Sequence, residues 1–293
     1  MEFHAIIPFL IALTACAEAP KAVQAPGLEN VFSLTERILS GSSPEGEAGF
    51  ATLQKLGVKT IVSVDGAPPN ADLARKFGLR TIHVPIGYDG LSATVQLQLV
   101  KAAQSAEGPI YVHCHHGKHR GPAAAAVICE GTAQWTPAQA IDWLKAAGTA
   151  PDYAGLYKAV GEFQIPTAEQ LRAVSADFPE RAKVSAQADA MVQLDEHFDH
   201  LKLLQKSAWK APAAHPDLVA KNEALLLLES FRELLRRDDS KAKGGDYLAC
   251  LEASESLAAT LHQSLTDAGT GEADAAMRDL TQRCVQCHKQ FRN

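Results

Sequence analysis

The spacing of apolar residues changes character near Ile165-Pro166, and this change limits what the chain can fold into. Upstream, β-branched runs alternate with amphipathic helical patterns; downstream, every segment repeats at helical spacing. The first pattern argues α/β layers around a largely parallel sheet, the second an all-α four-helix bundle. A chain of 293 residues is longer than one core usually organises, so two domains are expected. The α/β domain falls over 28–165 and the helical domain over 178–293, with a linker at 166–177. The formal net charge of −6 provides no general basic field, so no nucleic-acid partner is expected and any phosphate recognition is local.

The N-terminus reads as an export signal. Ala5 to Ala15 is an apolar run too short to cross roughly 30 Å of hydrocarbon, which marks 1–15 as a signal peptide and 16–27 as a tether. Leu13-Thr14-Ala15-Cys16 resembles a bacterial lipoprotein box with Cys16 as the lipidated residue, while Ala15-Cys16-Ala17 also fits ordinary signal cleavage. The n-region Met1-Glu2-Phe3-His4 departs from the usual pattern by lacking Lys and Arg. A periplasmic protein is expected, with membrane contact only through an N-terminal lipid.

Strands are expected at Val58 to Val64, Leu79 to Pro85 and Ile110 to His113, a sheet-facing helix over Leu91 to Ala106, and a capped helix from Thr136-Pro137-Ala138-Gln139. The chemistry sits where the Ile110 strand ends: His113-Cys114-His115-His116-Gly117-Lys118-His119-Arg120-Gly121, followed by the helix former Pro122-Ala123-Ala124-Ala125-Ala126-Val127. A loop folded over a helix N-terminus presents backbone N–H groups and the helix dipole to a phosphate-sized anion. The same field favours Cys114 as the nucleophilic thiolate, and the planar fork of Arg120 suits two phosphoryl oxygens.

This loop resembles the signature loop of the dual-specificity branch of protein tyrosine phosphatases, and Val31 to Pro44 and the helices after Arg120 also look like that family. The resemblance implies that Cys114 attacks phosphorus to form a phosphocysteine, Arg120 clamps the phosphoryl group and His113 helps hold Cys114 deprotonated. His115, His116, Gly117, Lys118 and His119 complete the phosphate-binding loop. Asp89, just after a strand, falls where the family's mobile acid loop would be, and Asp65 is the second candidate acid. One departure is Gly121, where the family usually has a Ser or Thr that assists phosphate release. The histidines of the loop are expected to point in different directions, as an anion-attracting rim rather than a metal site. Cys129 and Cys250 read as buried apolar thiols.

In the second half, four apolar stripes recur: Met191, Leu194, Phe198, Leu201; Ala224, Leu228, Phe231, Leu235; Tyr247, Leu251, Ala258, Leu261, Leu265; and Met277, Leu280, Cys284, Phe291. Cys284-Val285-Gln286-Cys287-His288 has the form of covalent haem c attachment, with two thioether bonds and His288 on iron. A haem motif at the end of the last helix resembles the class II cytochromes c, the cytochrome c′ and c-556 group. That resemblance places one covalent haem c here and makes Met191 the candidate distal ligand; His197 and His200 read as a solvated face.

The expected function is an exported cysteine-dependent phosphomonoester phosphatase acting on a phosphorylated substrate, with a haem domain that regulates or localises it. The alternative is an electron-transfer or gas-binding cytochrome, with a redox partner or a diatomic gas, whose phosphatase-like domain is catalytically weak and binds anions. A third reading is two uncoupled activities in one chain.

Overall fold

The computed structural model describes residues 19–88, 90–151, 153–267 and 270–291. The expected signal peptide, Cys16 and Asp89 lie outside these described residues.

The first part of the chain runs β1 (Lys21–Ala22), β2 (Phe32–Ser33), β3 (Ile38–Gly41), α1 (Gly46–Lys55), β4 (Thr60–Ser63), α2 (Ala71–Lys76), β5 (Arg80–His83), α3 (Ala93–Ser105) and β6 (Ile110–His113). It continues through α4 (Arg120–Thr132), α5 (Pro137–Ala146), α6 (Ala154–Gly161) and α7 (Ala168–Ala173). The helical part then runs α8 (Ala186–Lys206), α9 (Ala220–Arg236), the short α10 (Asp238–Lys241), α11 (Gly245–Thr266) and α12 (Thr270–Phe291).

The sheet order is β1-β2-β3-β6-β4-β5, antiparallel across β1, β2 and β3 and parallel from β3 to β5. It is therefore a mixed sheet flanked by helices. Alternation along β4 and β6 sends Val62 and Val112 to one face and Ile61 and Tyr111 to the other. Both faces are covered: the first by α3, by α4 with its run of alanines, and by Trp143; the second by Leu53 and Phe50 of α1. Alanine at 123–126 lets α4 approach the sheet closely, and all four are fully buried.

Register fixes the site. His113 at the end of β6 stands opposite Gly41 of β3 and Ser63 of β4, so the segments leaving three parallel strands emerge at one carboxyl edge. A ligand site is expected at that edge of an α/β sheet. The capping box on α5 forms as anticipated: the Gln139 amide donates to Thr136 Oγ1 (3.3 Å) and the Thr136 amide to Gln139 Oε1 (2.9 Å).

Two boundaries differ from the sequence reading. The stretch taken as a tether carries β1, and Ala25 is buried in the second face's core. Gly27 (φ +74°) touches α1 so closely that a Cβ there would lie 2.4 Å from the Gly49 nitrogen. The stretch taken as a linker at 166–177 contains α7, whose Leu171 packs on the first core together with Phe178. Residues 179–182 stay on the α/β part as well. The His83 amide donates to the Pro179 carbonyl (2.9 Å), and the Ala182 amide donates to His83 Nδ1 (3.0 Å).

In the helical part the four expected stripes converge on one apolar cluster that includes Leu194, Phe198, Leu228, Phe231, Leu251, Leu261 and Leu280. Among the described residues no helix is long and apolar enough to cross a membrane.

Candidate active site

The turn between β6 and α4 is held from outside through its carbonyls. The Ser43 amide donates to the His115 carbonyl (2.9 Å), Asn30 Nδ2 to the Gly117 carbonyl (2.9 Å) and Thr149 Oγ1 to the Lys118 carbonyl (2.7 Å). A turn whose carbonyls face outward to such donors leaves its N–H groups for the concave side. Gly117 adopts φ +67°, and a Cβ there would lie 2.3 Å from the Gly41 carbonyl carbon, so no other residue fits without moving β3. Trp143 Nε1 donates to the Pro122 carbonyl (3.0 Å) and pins the first turn of α4.

Cys114 is buried in this turn, 4% exposed, and Arg120, 7% exposed, is close enough to interact with it electrostatically. The guanidinium is oriented by two neighbours: Nη2 donates to Asp65 Oδ1 (2.9 Å), and Cζ lies 4.4 Å from the centroid of the Tyr88 ring. Nε of Arg120 is buried without a hydrogen-bond partner among the described residues, which leaves a donor for an anion. Tyr88 in turn packs on Tyr153 (5.1 Å), and Tyr153 on His119 (4.4 Å), so an aromatic wall stands beside Arg120.

Burial alone would raise the Asp65 carboxyl, but Arg120, and after it His115 and His113, hold it below the ordinary carboxylate range. Asp65 is thus the ionised partner of Arg120 and not the proton donor that its place after β4 also allowed. The ring of His113 faces backbone, with Nδ1 3.4 Å from the Cys114 carbonyl. Burial pushes its pKa down to about 4, which favours the neutral ring.

Gly121 follows Arg120 at the first turn of α4. A Cβ there would lie 3.4 Å from Cys114 Sγ and 3.0 Å from the Cys114 nitrogen. The position therefore faces the thiol, and glycine supplies it with no hydroxyl.

The loop histidines do not diverge as expected. His115 Nε2 and His116 Nε2 both approach Asp199 Oδ2 of α8, at 3.3 and 3.4 Å. The first helix of the helical part thus meets the phosphate loop, and Ala188 and Val192 of the same helix lie near Gly66. His197 and His200 are likewise not simply solvated: both are half-buried, with Nδ1 3.0 Å from Glu223 Oε2.

In the helical part, Cys284 and Cys287 are one turn apart on α12 and share an apolar cluster with Met191 of α8. Burial raises both thiols, Cys284 to about 11 and Cys287 to about 12. Cys250 is half-buried in the same cluster and interacts with Cys287, which the sequence did not reveal. His288 lies on the exposed side of α12. Two thiols one turn apart on a helix are the groups that bond the vinyl carbons of haem c, and Met191 of the same cluster is a thioether of the kind that ligates haem iron.

The half of the chain that carries the Cys114 loop is similar in sequence to the dual specificity protein phosphatase TpbA of Pseudomonas aeruginosa, 28% identical over 145 residues, which are 48% of this chain and 65% of that protein. The chain thus spans just under two thirds of the length of the curated relatives it matches. No family model matches the sequence. The crystal structure of P. aeruginosa TpbA aligns with a TM-score of 0.45 at 23% identity, over 54% of this chain and 97% of that one. The core catalytic domain of the PP-IP phosphatase SIW14 from S. cerevisiae, in complex with citrate, aligns with a TM-score of 0.43 at 18% identity, over 52% and 93%.

Proposed function

We propose that the chain is an exported, cysteine-dependent phosphomonoester phosphatase with a covalently attached haem c in a cytochrome c′-like four-helix bundle. The observation that carries the first half is the buried Cys114 in one short loop with Arg120, whose guanidinium is held by Asp65 and Tyr88 and keeps a spare donor. The thiolate of Cys114 attacks phosphorus, an S–P bond forms and the bond to the leaving oxygen breaks. Arg120 and the loop N–H groups take up the charge on the equatorial oxygens. Asp89, which follows Tyr88 in the sequence, supplies the proton to the leaving oxygen and then takes one from the water that breaks the S–P bond. The aromatic wall suits a flat leaving group, so aryl phosphates such as phosphotyrosine are the favoured substrate class.

The reading is tested by hydrolysis of a generic aryl phosphate. Activity that disappears in Cys114→Ser supports it; equal rates in the two proteins exclude it.

Cys284 and Cys287 would form the thioethers, and His288 and Met191 would serve as iron ligands. Bound there, the haem would supply electron transfer or gas binding. The absorption spectrum of the purified protein tests this: a haem c spectrum is expected, and its absence excludes the assignment. A second reading, a cytochrome with an anion-binding but catalytically weak phosphatase-like domain, is favoured by Gly121, which leaves Cys114 Sγ without a neighbouring hydroxyl. Phosphate binding without hydrolysis would identify it. Export through the N-terminal signal, with Cys16 lipidated or the signal simply cleaved, completes the proposal.

A further inference from the structure

His115, His116 and Asp199 come together from parts of the chain that have no local reason to meet. Two adjacent residues of the phosphate loop and one residue of α8 direct Nε2, Nε2 and Oδ2 toward one point, all within 4.8 Å of one another. The two nitrogen-to-oxygen separations are 3.3 and 3.4 Å. These are long for charge-assisted hydrogen bonds, which run at about 2.7–2.9 Å. They match the edge of a tetrahedron built on metal–ligand bonds of about 2.0–2.1 Å, which is about 3.3–3.4 Å.

We propose that His115, His116 and Asp199 bind a divalent transition-metal cation of the zinc class, spanning the phosphate loop and the first helix of the helical part. Two imidazoles and one carboxylate are a common donor set for such an ion, with a fourth position left to water. The surroundings support the set. Lys202 Nζ donates to the other oxygen of Asp199 (2.7 Å), which fixes the carboxylate with Oδ2 turned to the histidines. Asp65 and Asp195 also act electrostatically on His115 in the sense that favours a cation, while Lys202 acts on His116 in the opposite sense.

A second cluster, His197, His200 and Glu223, has the same donor types but a different geometry. Both nitrogens stand 3.0 Å from one oxygen, the distance of ordinary hydrogen bonds, so that cluster is already satisfied. An ion at the first cluster fastens α8 to the rim of the loop that holds Cys114.

The site does not depend on the hydrolytic reading, and its test reads bound metal alone. The full-length haem-loaded chain carrying Cys114→Ser, which removes the competing thiol, is stripped with EDTA and titrated with Zn²⁺ by calorimetry. Asp199→Asn, His116→Gln and Glu223→Gln are each added to that background. One Zn²⁺ is expected to bind with a Kd that rises at least about tenfold in the Asp199 and His116 variants and is unchanged in the Glu223 variant. His116 is 41% exposed, so its substitution is tolerated by the fold even if that of Asp199 is not. Zn²⁺ binding that is the same in the parent, Asp199→Asn and His116→Gln, or no binding in any of them, overturns the proposal.

Discussion

Arg120 and Asp65 are each less than a tenth exposed and joined at 2.9 Å, so neither tolerates loss of the other. Removing one member of a buried pair leaves an uncompensated charge, and Asp65→Asn is expected to destabilise the fold by about 3 kcal/mol, read by chemical denaturation at pH 7. The pH dependence follows from the lowered carboxyl. The unfolded state binds that proton more readily, so the stability Asp65 contributes is complete above about pH 4 and is lost as pH falls toward its depressed folded value. Asp65→Asn should therefore differ most from wild type at neutral pH and converge with it in acid. Arg120→Lys keeps the charge and loses the fork; aryl phosphate hydrolysis should drop by about 100-fold or more. Gly121 makes the opposite kind of prediction. A serine there would place a hydroxyl beside Cys114 Sγ, and Gly121→Ser is expected to raise steady-state turnover without speeding the first chemical step.

At the scale of elements, α4 joins the loop to the core, and its Glu130 is an exception within it. The side chain is 3% exposed, Oε2 has no hydrogen-bond partner among the described residues, and burial pushes its pKa up to about 7. The folded state thus favours the neutral acid, which costs stability as pH rises above the unfolded value near 4.5. Glu130→Gln should be more stable than wild type at pH 8, with the advantage shrinking toward pH 4; a constant difference across that range contradicts this account of α4.

The same scale shows what could be read in advance. β4, β5 and β6 were legible because each is a β-branched run bounded by turn residues, and the Cys114 loop because strand, glycine, arginine and helix follow one another locally. The antiparallel edge was not. β1 and β2 are two-residue strands whose pairing depends on the turn through Gly27 and Asn30, the latter at φ +51°, and so short a run has no period to detect. Nor could sequence place Asp199, which lies 84 residues from His115 and meets it only through tertiary packing. The orientation of His113 toward backbone likewise depends on the fold, since a histidine before a cysteine looks the same whichever atom it faces.

At the scale of the whole molecule, α8 contributes to both proposed sites. Its Met191 belongs to the apolar cluster of Cys284 and Cys287, while its Asp199 meets the loop that holds Cys114. If Met191 is the distal ligand of the proposed haem, Met191→Ala should convert a low-spin ferric spectrum to a high-spin one; a wild-type protein already high-spin contradicts that assignment.

The central claim, that Cys114 performs nucleophilic phosphoryl transfer, is tested most directly by rapid-quench kinetics with an aryl phosphate and mass analysis of the Cys114 peptide. Because Gly121 offers no hydroxyl to help break the S–P bond, the phosphocysteine should accumulate. The account predicts a burst of the aryl alcohol equal to the enzyme present and a phosphoryl group on Cys114. Hydrolysis that starts linearly, leaves Cys114 unmodified and persists in Cys114→Ser would contradict it.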